Sequence, residues 1–178
     1  MVKNKKLFYG ILVAVLVIVG CSLFALKQPT LLPTIPSEFN FNLIFKYGVG
    51  ARNELNTFKG EYTKDMVLDL PITVSLSLSN DELDRIYQKM VAINFFDYPD
   101  KFSVSVPPGE TIGMVTPYSS YYFKVEYNSK IKELSWEDNI TNKDEKAEKL
   151  RELIKLIVEI VESKEEYKKL PPPRGGYM

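Results

Sequence analysis

The sequence predicts an α+β domain: a mainly antiparallel sheet of five or six strands with two helices packed on one face, preceded by an N-terminal hydrophobic signal or anchor helix. Segments in which every second residue is apolar outnumber segments with helical spacing, and short turn-forming stretches separate them. This pattern is typical of antiparallel neighbours with helices on one side. Hydrophobic residues make up 45% of the 178 residues and charged residues 26%, which are ordinary values for a globular protein.

Three strands are predicted before the first helix. Residues 53–58 are expected to form the second, and the polar residues 59–65 are expected to form a loop around Gly60. Residues 72–79 give the clearest strand, with Ile, Val and Leu on one face and Thr and Ser on the other. The first strand, residues 39–47, alternates apart from Ile44, and its apolar face carries Phe39, Phe41, Leu43, Phe45 and Tyr47.

Ser79 and Glu82 predict the start of the first helix. In a capping box the Ser side chain accepts a hydrogen bond from a free amide, while the Glu side chain bonds back to the Ser amide. Apolar residues follow at helical spacing to about residue 94. The aromatic residues in 95–98, followed by a proline, are expected to end this helix and to fill the interface between helix and sheet.

A short strand and a hairpin are predicted next. The strand covers residues 102–106 and ends at Pro107-Pro108-Gly109, and residues 110–117 are expected to form a loop. The hairpin strands cover residues 121–127 and 130–136, joined by an asparagine-led turn. Apolar and polar residues alternate in both strands, so each strand should have one buried face.

A second, longer helix is predicted near the C-terminus. Thr141 or Asn142 could cap it, and its apolar stripe runs from Ala147 to Val161. Residues 167–178 contain three prolines and two glycines, which exclude a regular helix. We expect this tail either to lie over the sheet as an extended arm or to be a loose end.

Four segments follow from this reading. Residues 1–26 are a signal peptide or membrane anchor, and residues 27–38, with three prolines, are a semi-extended tether. Residues 39–166 form the α+β domain, and residues 167–178 form the Pro/Gly-rich tail. About 140 residues after the anchor and tether are enough for one domain with a core.

The first six residues carry three lysines, and residues 7–26 contain no charge. Such a cationic start followed by an apolar segment is typical of an export signal. Ile18-Val19-Gly20-Cys21 includes the one cysteine of the chain and resembles the lipobox of bacterial lipoprotein signals at all four positions. The resemblance implies that diacylglycerol is attached to the Cys21 thiol and that the chain is cleaved before it. Several acyl chains would hold the protein at the membrane.

An uncleaved transmembrane helix is the alternative interpretation of the same segment. Twenty apolar or small residues in 7–26 are long enough to cross the hydrocarbon core of a bilayer. The lysines before them would remain in the cytoplasm. Both interpretations predict a protein at the cell membrane, anchored at its N-terminus, with the folded domain on the extracytoplasmic face.

The composition argues against several function classes. Lysine and arginine total 23, as do aspartate and glutamate, and three of the basic residues lie in the first six positions. The remaining chain is slightly acidic, which disfavours nucleic acid as a partner. The sequence has no histidine, the most common general base and metal ligand, and one cysteine cannot form an internal disulfide. We therefore predict no catalytic, metal-binding or cofactor-binding residues.

Two sets of side chains are candidates for enzyme or metal sites. Asp65, Asp69, Asp97 and Asp100 lie in predicted loops and could include a carboxylate pair for hydrolysis of an envelope polymer. Solvated loop acids are the simpler interpretation. Residues 137–139, Glu-Asp-Asn, offer oxygen ligands, but they lack the spacing of a calcium loop and favour a turn.

Aromatic residues are the remaining candidates. Residues 118–122 contain three tyrosines, and Trp136 lies in the facing strand of the hairpin. Such rings could stack on the sugars of a cell-wall polymer. Packing in the core is the favoured interpretation, because Tyr121 and Phe123 already fit a buried face.

These observations predict a membrane-anchored extracytoplasmic lipoprotein, with a non-enzymatic binding module for an envelope protein or a cell-wall polymer. The layout of aromatic strand, Ser-capped helix, hairpin and long helix resembles small uncharacterised lipoproteins of Gram-positive bacteria. This resemblance implies one site residue, Cys21. The alternatives are a single-pass membrane protein that modulates a larger complex and a carboxylate-dependent envelope hydrolase.

Overall fold

A computed structural model of the chain describes residues 41–178. The predicted anchor, the tether and Cys21 lie outside the described residues, as do the first two residues of the first predicted strand. The described part contains the α+β domain from Phe41 onward and the whole C-terminal tail.

Seven strands form one sheet in the described residues. The spatial order is β4-β3-β2-β1-β6-β7-β5, and every neighbouring pair is antiparallel except β5 and β7, which are parallel. The sheet is therefore mixed, with a short parallel strand at one edge. The strands are β1 (Phe41–Tyr47), β2 (Asn53–Asn56), β3 (Glu61–Lys64), β4 (Ile72–Ser75), β5 (Lys101–Phe102), β6 (Ser120–Tyr127) and β7 (Lys130–Glu137).

Three α-helices accompany the sheet within residues 41–178. They are α1 (Asn80–Ala92), α2 (Glu145–Ser163) and the one-turn α3 (Glu165–Lys168). Short 3-10 turns lie at Val49–Ala51 and Phe95–Asp97. None of the helices within residues 41–178 is both long enough and apolar enough to cross a bilayer.

The α+β class is confirmed, but the predicted strand count of five or six is wrong. The exclusion of helix from residues 167–178 is also wrong, because the unpredicted one-turn α3 includes Tyr167 and Lys168. The additional strand is β3, within residues 59–65 that were expected to be a loop. Its Tyr62 is 1% exposed and lies between Leu55 of β2 and Val74 of β4. A four-residue strand with one buried residue has too little alternation to distinguish it from a polar loop.

The predicted cap of the second helix is also wrong. Asp144, rather than Thr141 or Asn142, is the N-cap of α2, and its carboxylate accepts a hydrogen bond from the amide of Ala147 at 2.9 Å. Thr141 and Asn142 instead contact the loop around Gly113: the Thr141 amide donates to the Gly113 carbonyl at 2.9 Å. Several residue types in this segment can cap a helix, so tertiary contacts decide which of them does so.

One face of the sheet is apolar and forms the core with α1 and α2. Trp136 and Phe102 extend this face to the β5 edge, while Ile86 and Met90 of α1 and the apolar stripe of α2 cover it. Six residues, one from each of six adjacent strands, align in register across the face: Val74, Tyr62, Leu55, Phe45, Phe123 and Leu134.

The opposite face is polar. Lys46 is aligned with Glu54 and Thr63 in one direction and with Tyr122 in the other. Lys46 and Glu54 form a salt bridge of 3.1 Å, and the hydroxyls of Thr63 and Thr73 are 2.8 Å apart. Since neighbouring residues on a strand point to opposite faces, the sequence alternation alone separates the core from this polar surface.

The two long helices run antiparallel to each other. Lys89 of α1 contacts Glu152 of α2 at 2.6 Å, and Glu82 near the start of α1 contacts Lys164 just after α2 at 2.5 Å. The predicted capping box at Ser79 is confirmed, because Glu82 Oε2 accepts from the Ser79 amide at 2.7 Å. Glu82 therefore completes the cap at the start of α1 and also binds Lys164 at the end of α2.

The strands also define the two ends of the sheet. Phe41, where the described chain begins, pairs with Tyr127 at one end. Tyr47 and Ser120 lie at the other end, where the Ser120 amide donates to the Gly48 carbonyl at 2.9 Å. The chain therefore enters the domain at the end of the sheet opposite the start of β6.

Replacing Glu82 with Gln should lower the free energy of unfolding by roughly 1–2 kcal/mol at neutral pH. Burial alone would raise the pKa of Glu82, but hydrogen bonds from Lys164 and Ser79 outweigh it and hold the pKa below its ordinary value of 4.5. The stabilising contribution of the carboxylate is present above pH 4.5 and is lost as the pH falls through the lowered pKa.

Urea unfolding from pH 7 to pH 3 measures this effect. The difference between wild type and Glu82→Gln should shrink as the pH falls, while Glu110→Gln, the same change at an exposed loop residue, should follow wild type. A difference that stays constant over this pH range would contradict the charge-based account.

Candidate functional site

A cleft opens where β5, β6 and β7 meet, at the end of the sheet away from Phe41. Its volume is about 570 Å³, which lies within the range of small-molecule and peptide sites. Its walls combine hydroxyl groups, one cation, one carboxylate and aromatic edges. We call it the strand-end cleft; it is lined by Lys101, Phe102, Ser103, Ser120, Tyr121, Ser135, Trp136, Glu137, Asn139 and Ile140.

Strand register places these side chains. Tyr121 pairs with Trp136, and Ser120 pairs with Glu137, across the β6–β7 hairpin. On the other side of β7, Phe102 pairs with Trp136 in the parallel ladder. Alternation then directs the aromatic residues to the core face and the Ser and Glu residues to the polar face. The cleft therefore has an apolar side and a polar side.

Trp136 is a packing residue rather than an open stacking platform. It is 2% exposed, and its ring lies 5.4 Å from the ring of Phe102 and 5.4 Å from that of Tyr121. The guanidinium of Arg151 lies 5.3 Å from the Trp136 ring centre. Its indole nitrogen has no hydrogen-bond partner within the described residues. With its surroundings filled by protein, this ring is not available to stack on a sugar.

Arg151 and Asp138 fix the chain just beyond β7. Two guanidinium nitrogens of Arg151 donate to the two Asp138 carboxylate oxygens at 3.0 and 2.5 Å. These hydrogen bonds to the Asp138 carboxylate raise the pKa of Arg151, although partial burial acts in the opposite direction. A bidentate pair fixes orientation as well as distance, so α2 holds the end of β7 in place.

A short pairing of two loops supports Asn139 and Ile140, which line the cleft. The amide of Val115 donates to the Asn139 carbonyl at 3.0 Å, and Met114 and Ile140 form an antiparallel bridge. The Gly113 amide donates to the Asn142 side chain at 2.8 Å. Residues 110–117, expected to be loop, therefore include a paired segment that supports Ile140 at the cleft.

The four acids considered for hydrolysis do not line this cleft. Asp65 and Asp69 bind the C-terminal tail, through Tyr177 and Arg174 respectively. Asp100 accepts a hydrogen bond from Lys132 at 2.6 Å. Asp97 lines a separate shallow cavity of about 260 Å³. Three of the four acids are thus engaged in structural contacts.

The three residues of the Glu-Asp-Asn segment, 137–139, each contact a different partner. Glu137 lines the cleft and is 3.5 Å from the Tyr118 hydroxyl, Asp138 pairs with Arg151, and the Asn139 carbonyl accepts the Val115 amide. Within residues 41–178, no group of three or more carboxylate or thiol side chains is arranged to hold a metal ion.

Part of the cleft was predictable from the sequence. Tyr121, Trp136 and residues 137–139 were candidates there, whereas Lys101 and the serines of the polar side were not. The serines of β6 and β7 alternate with aromatic residues, which is a signal for a polar face, yet only the strand register brings them beside Ser103. The one predicted site residue, Cys21, lies outside the described residues. Neither a protein-family model nor a curated protein matches the chain.

Gly113→Ala should disturb the loop pairing that supports Ile140 at the cleft. An added Cβ at Gly113 would lie 2.3 Å from the Thr141 hydroxyl oxygen, which is too close for any real contact. We expect a loss of about 1–2 kcal/mol in the free energy of unfolding, as for other overpacked sites. Hydrogen exchange should also become faster at the Val115 amide.

Gly176→Ala is the matched control, since a Cβ there meets nothing within 4 Å. The double variant Gly113→Ala/Thr141→Ala should recover most of the loss, because it removes the hydroxyl that clashes. A double variant no more stable than Gly113→Ala would refute the steric account.

Proposed function

We propose that this protein is a membrane-anchored extracytoplasmic lipoprotein whose folded domain is a non-enzymatic binding module of the cell envelope. The anchor part of the proposal rests on the sequence Ile18-Val19-Gly20-Cys21 and its resemblance to a lipobox. The binding part rests on the strand-end cleft. An envelope protein or a cell-wall polymer is the expected partner.

The composition of the cleft is the observation that carries the binding part. Among the described residues that line it, Glu137 is the one carboxylate and Lys101 the one cation, beside three serines and Asn139. Such walls offer hydrogen-bond donors and acceptors around an apolar side, the usual character of a recognition site. Hydrolysis of a glycosidic bond ordinarily uses two carboxylates on either side of it, so the cleft favours binding over the hydrolase alternative.

The position of the cleft is consistent with a binding role. Described residues begin at Phe41, at one end of the sheet, and the cleft lies at the other end beside Ser120. The seven-stranded sheet forms a rigid scaffold between the two ends, which is a common arrangement for recognition sites.

Intact mass of the membrane-extracted protein tests the anchor. Wild type should begin at Cys21 and carry the added mass of diacylglycerol, because the lipobox directs both lipidation and cleavage. Cys21→Ala should lack the lipid and keep its N-terminal segment. A wild-type protein that starts at Met1 without lipid would refute the lipoprotein and favour the single-pass alternative.

Site-specific photo-crosslinking tests the cleft. A benzophenone amino acid placed at residue 103 of the full chain, in intact membranes, should form an adduct because Ser103 lines the cleft. Residue 105 is the matched control: Ser105 is exposed in the same extended segment but is not among the lining residues. The adduct at 103 should exceed that at 105, because the side chain at 105 lies outside the lining of the cleft.

The size and chemistry of the adduct separate the two partner classes. A discrete heavier band that protease removes indicates an envelope protein, and a smear that a cell-wall hydrolase collapses indicates polymer. Equal yields at residues 103 and 105 would contradict a binding role for the cleft.

A further inference from the structure

The C-terminal residues 171–178 lie against the loop that connects β3 to β4. Lys64, at the end of β3, donates to the Pro171 carbonyl at 3.0 Å. Nε of Arg174 donates to Oδ2 of Asp69 at 2.6 Å, and a second guanidinium nitrogen donates to the other carboxylate oxygen. The tail is therefore held by specific side-chain contacts and is not a loose end.

The beginning of the same loop is held by Tyr177. Its hydroxyl donates to Oδ2 of Asp65, and Arg52 donates to that hydroxyl at 3.3 Å. The Arg52 guanidinium also lies 5.6 Å from the centre of the Tyr177 ring. The tail thus contacts both Asp65 and Asp69, the two acidic residues that flank the turn of the loop.

The turn between these two acids has a strained backbone. Val67 has a φ of 61°, in the left-handed region that a β-branched residue rarely adopts. The Leu68 amide donates to the Met66 carbonyl at 2.8 Å, which makes a three-residue turn around Val67. Such strain persists only where surrounding contacts determine the conformation.

Contacts with the tail help to fix the backbone conformation at Val67. Asp65 accepts the Val67 amide at 3.1 Å through one oxygen and the Tyr177 hydroxyl through the other. Val67 also forms a parallel bridge with Arg174. At Gly175 an added Cβ would lie 2.9 Å from the Leu68 side chain, so the tail backbone lies directly against the turn.

These contacts are specific, but most of the groups that make them are exposed to solvent. Residues 171–176 and Met178 are exposed, and the side chains of Arg174 and Asp69 are 73% and 37% accessible. Exposed ion pairs contribute little to stability and are screened by salt. A segment fastened in this way, with little apolar burial, can detach without unfolding the core.

We propose that residues 171–178 form a releasable strap: their contacts with Asp65 and Asp69 hold the β3–β4 loop in its strained turn, and loss of those contacts frees strap and loop together. The loop carries two exposed leucines, Leu68 at 74% and Leu70 at 86%. When the strap is docked, it therefore fixes the conformation in which the β3–β4 loop exposes Leu68 and Leu70. This device is independent of the strand-end cleft and of the anchor.

Hydrogen exchange of the full chain, followed by mass spectrometry, tests the strap. Arg174→Ala should speed exchange in residues 65–71 by roughly fivefold, the effect of losing one well-oriented exposed ion pair. Exchange in α1 should not change, which establishes that the variant is folded. Arg85→Ala, an exposed arginine on α1, is the matched control and should leave residues 65–71 as in wild type.

Two further arms separate a releasable strap from a simple local defect. Raising the salt from about 0.01 M to about 1 M shortens the screening length roughly tenfold, so wild-type exchange in residues 65–71 should accelerate while Arg174→Ala changes little. The charge-swapped double variant Asp69→Arg/Arg174→Asp should restore slow exchange. Equal salt sensitivity in wild type and Arg174→Ala, or unchanged exchange in Arg174→Ala, would overturn the proposal.

Discussion

The aligned row of apolar side chains across the sheet is the constraint on which the described structure depends. Phe45 lies at its centre, with Leu55 and Tyr62 on one side and Phe123 and Leu134 on the other. A shift of one residue in any strand would turn its apolar residues toward solvent, so burial of this face fixes the register of the sheet. The helices cover the same row, and both long helices take their positions from it.

Because one face of the sheet is occupied by the core, the strand-end cleft and the tail contacts lie at the ends of the strands. At the β5 edge, aromatic residues complete the core while serines and charged residues alternate with them, which produces the strand-end cleft. At the β3–β4 edge, the loop with Asp65 and Asp69 receives the tail. The cleft is determined by packed strands, whereas the strap is held by exposed polar contacts. The strand-end cleft should therefore be rigid, whereas the strap should detach and rebind.

Local patterns predicted much of the fold. Clear alternation in β1, β6 and β7 and helical spacing in α1 and α2 agree with the structure, as does the capping box of Ser79 and Glu82. Those elements are long or carry a specific local signal. β3 was missed because only Tyr62 is buried in it. The short strand predicted at residues 102–106 is present only as β5, Lys101–Phe102, and its parallel direction was not foreseen because two residues carry no signal of direction. The candidate site was predicted only through Tyr121, Trp136 and the segment after β7.

The sequence by itself determined the fold class, the apolar face of each long strand and the helix start at Ser79, because these depend on residue spacing along one segment. It also predicts the anchor at Cys21. Tertiary structure alone decided that Asp65 and Asp69 hold the tail, that Trp136 is enclosed rather than open, and that Lys101 and Ser103 stand beside β7. The tail contacts and the pairing of β5 with β7 join residues more than 30 positions apart, and the rings and guanidinium around Trp136 come from three other elements. Nothing local specifies which of these segments meet.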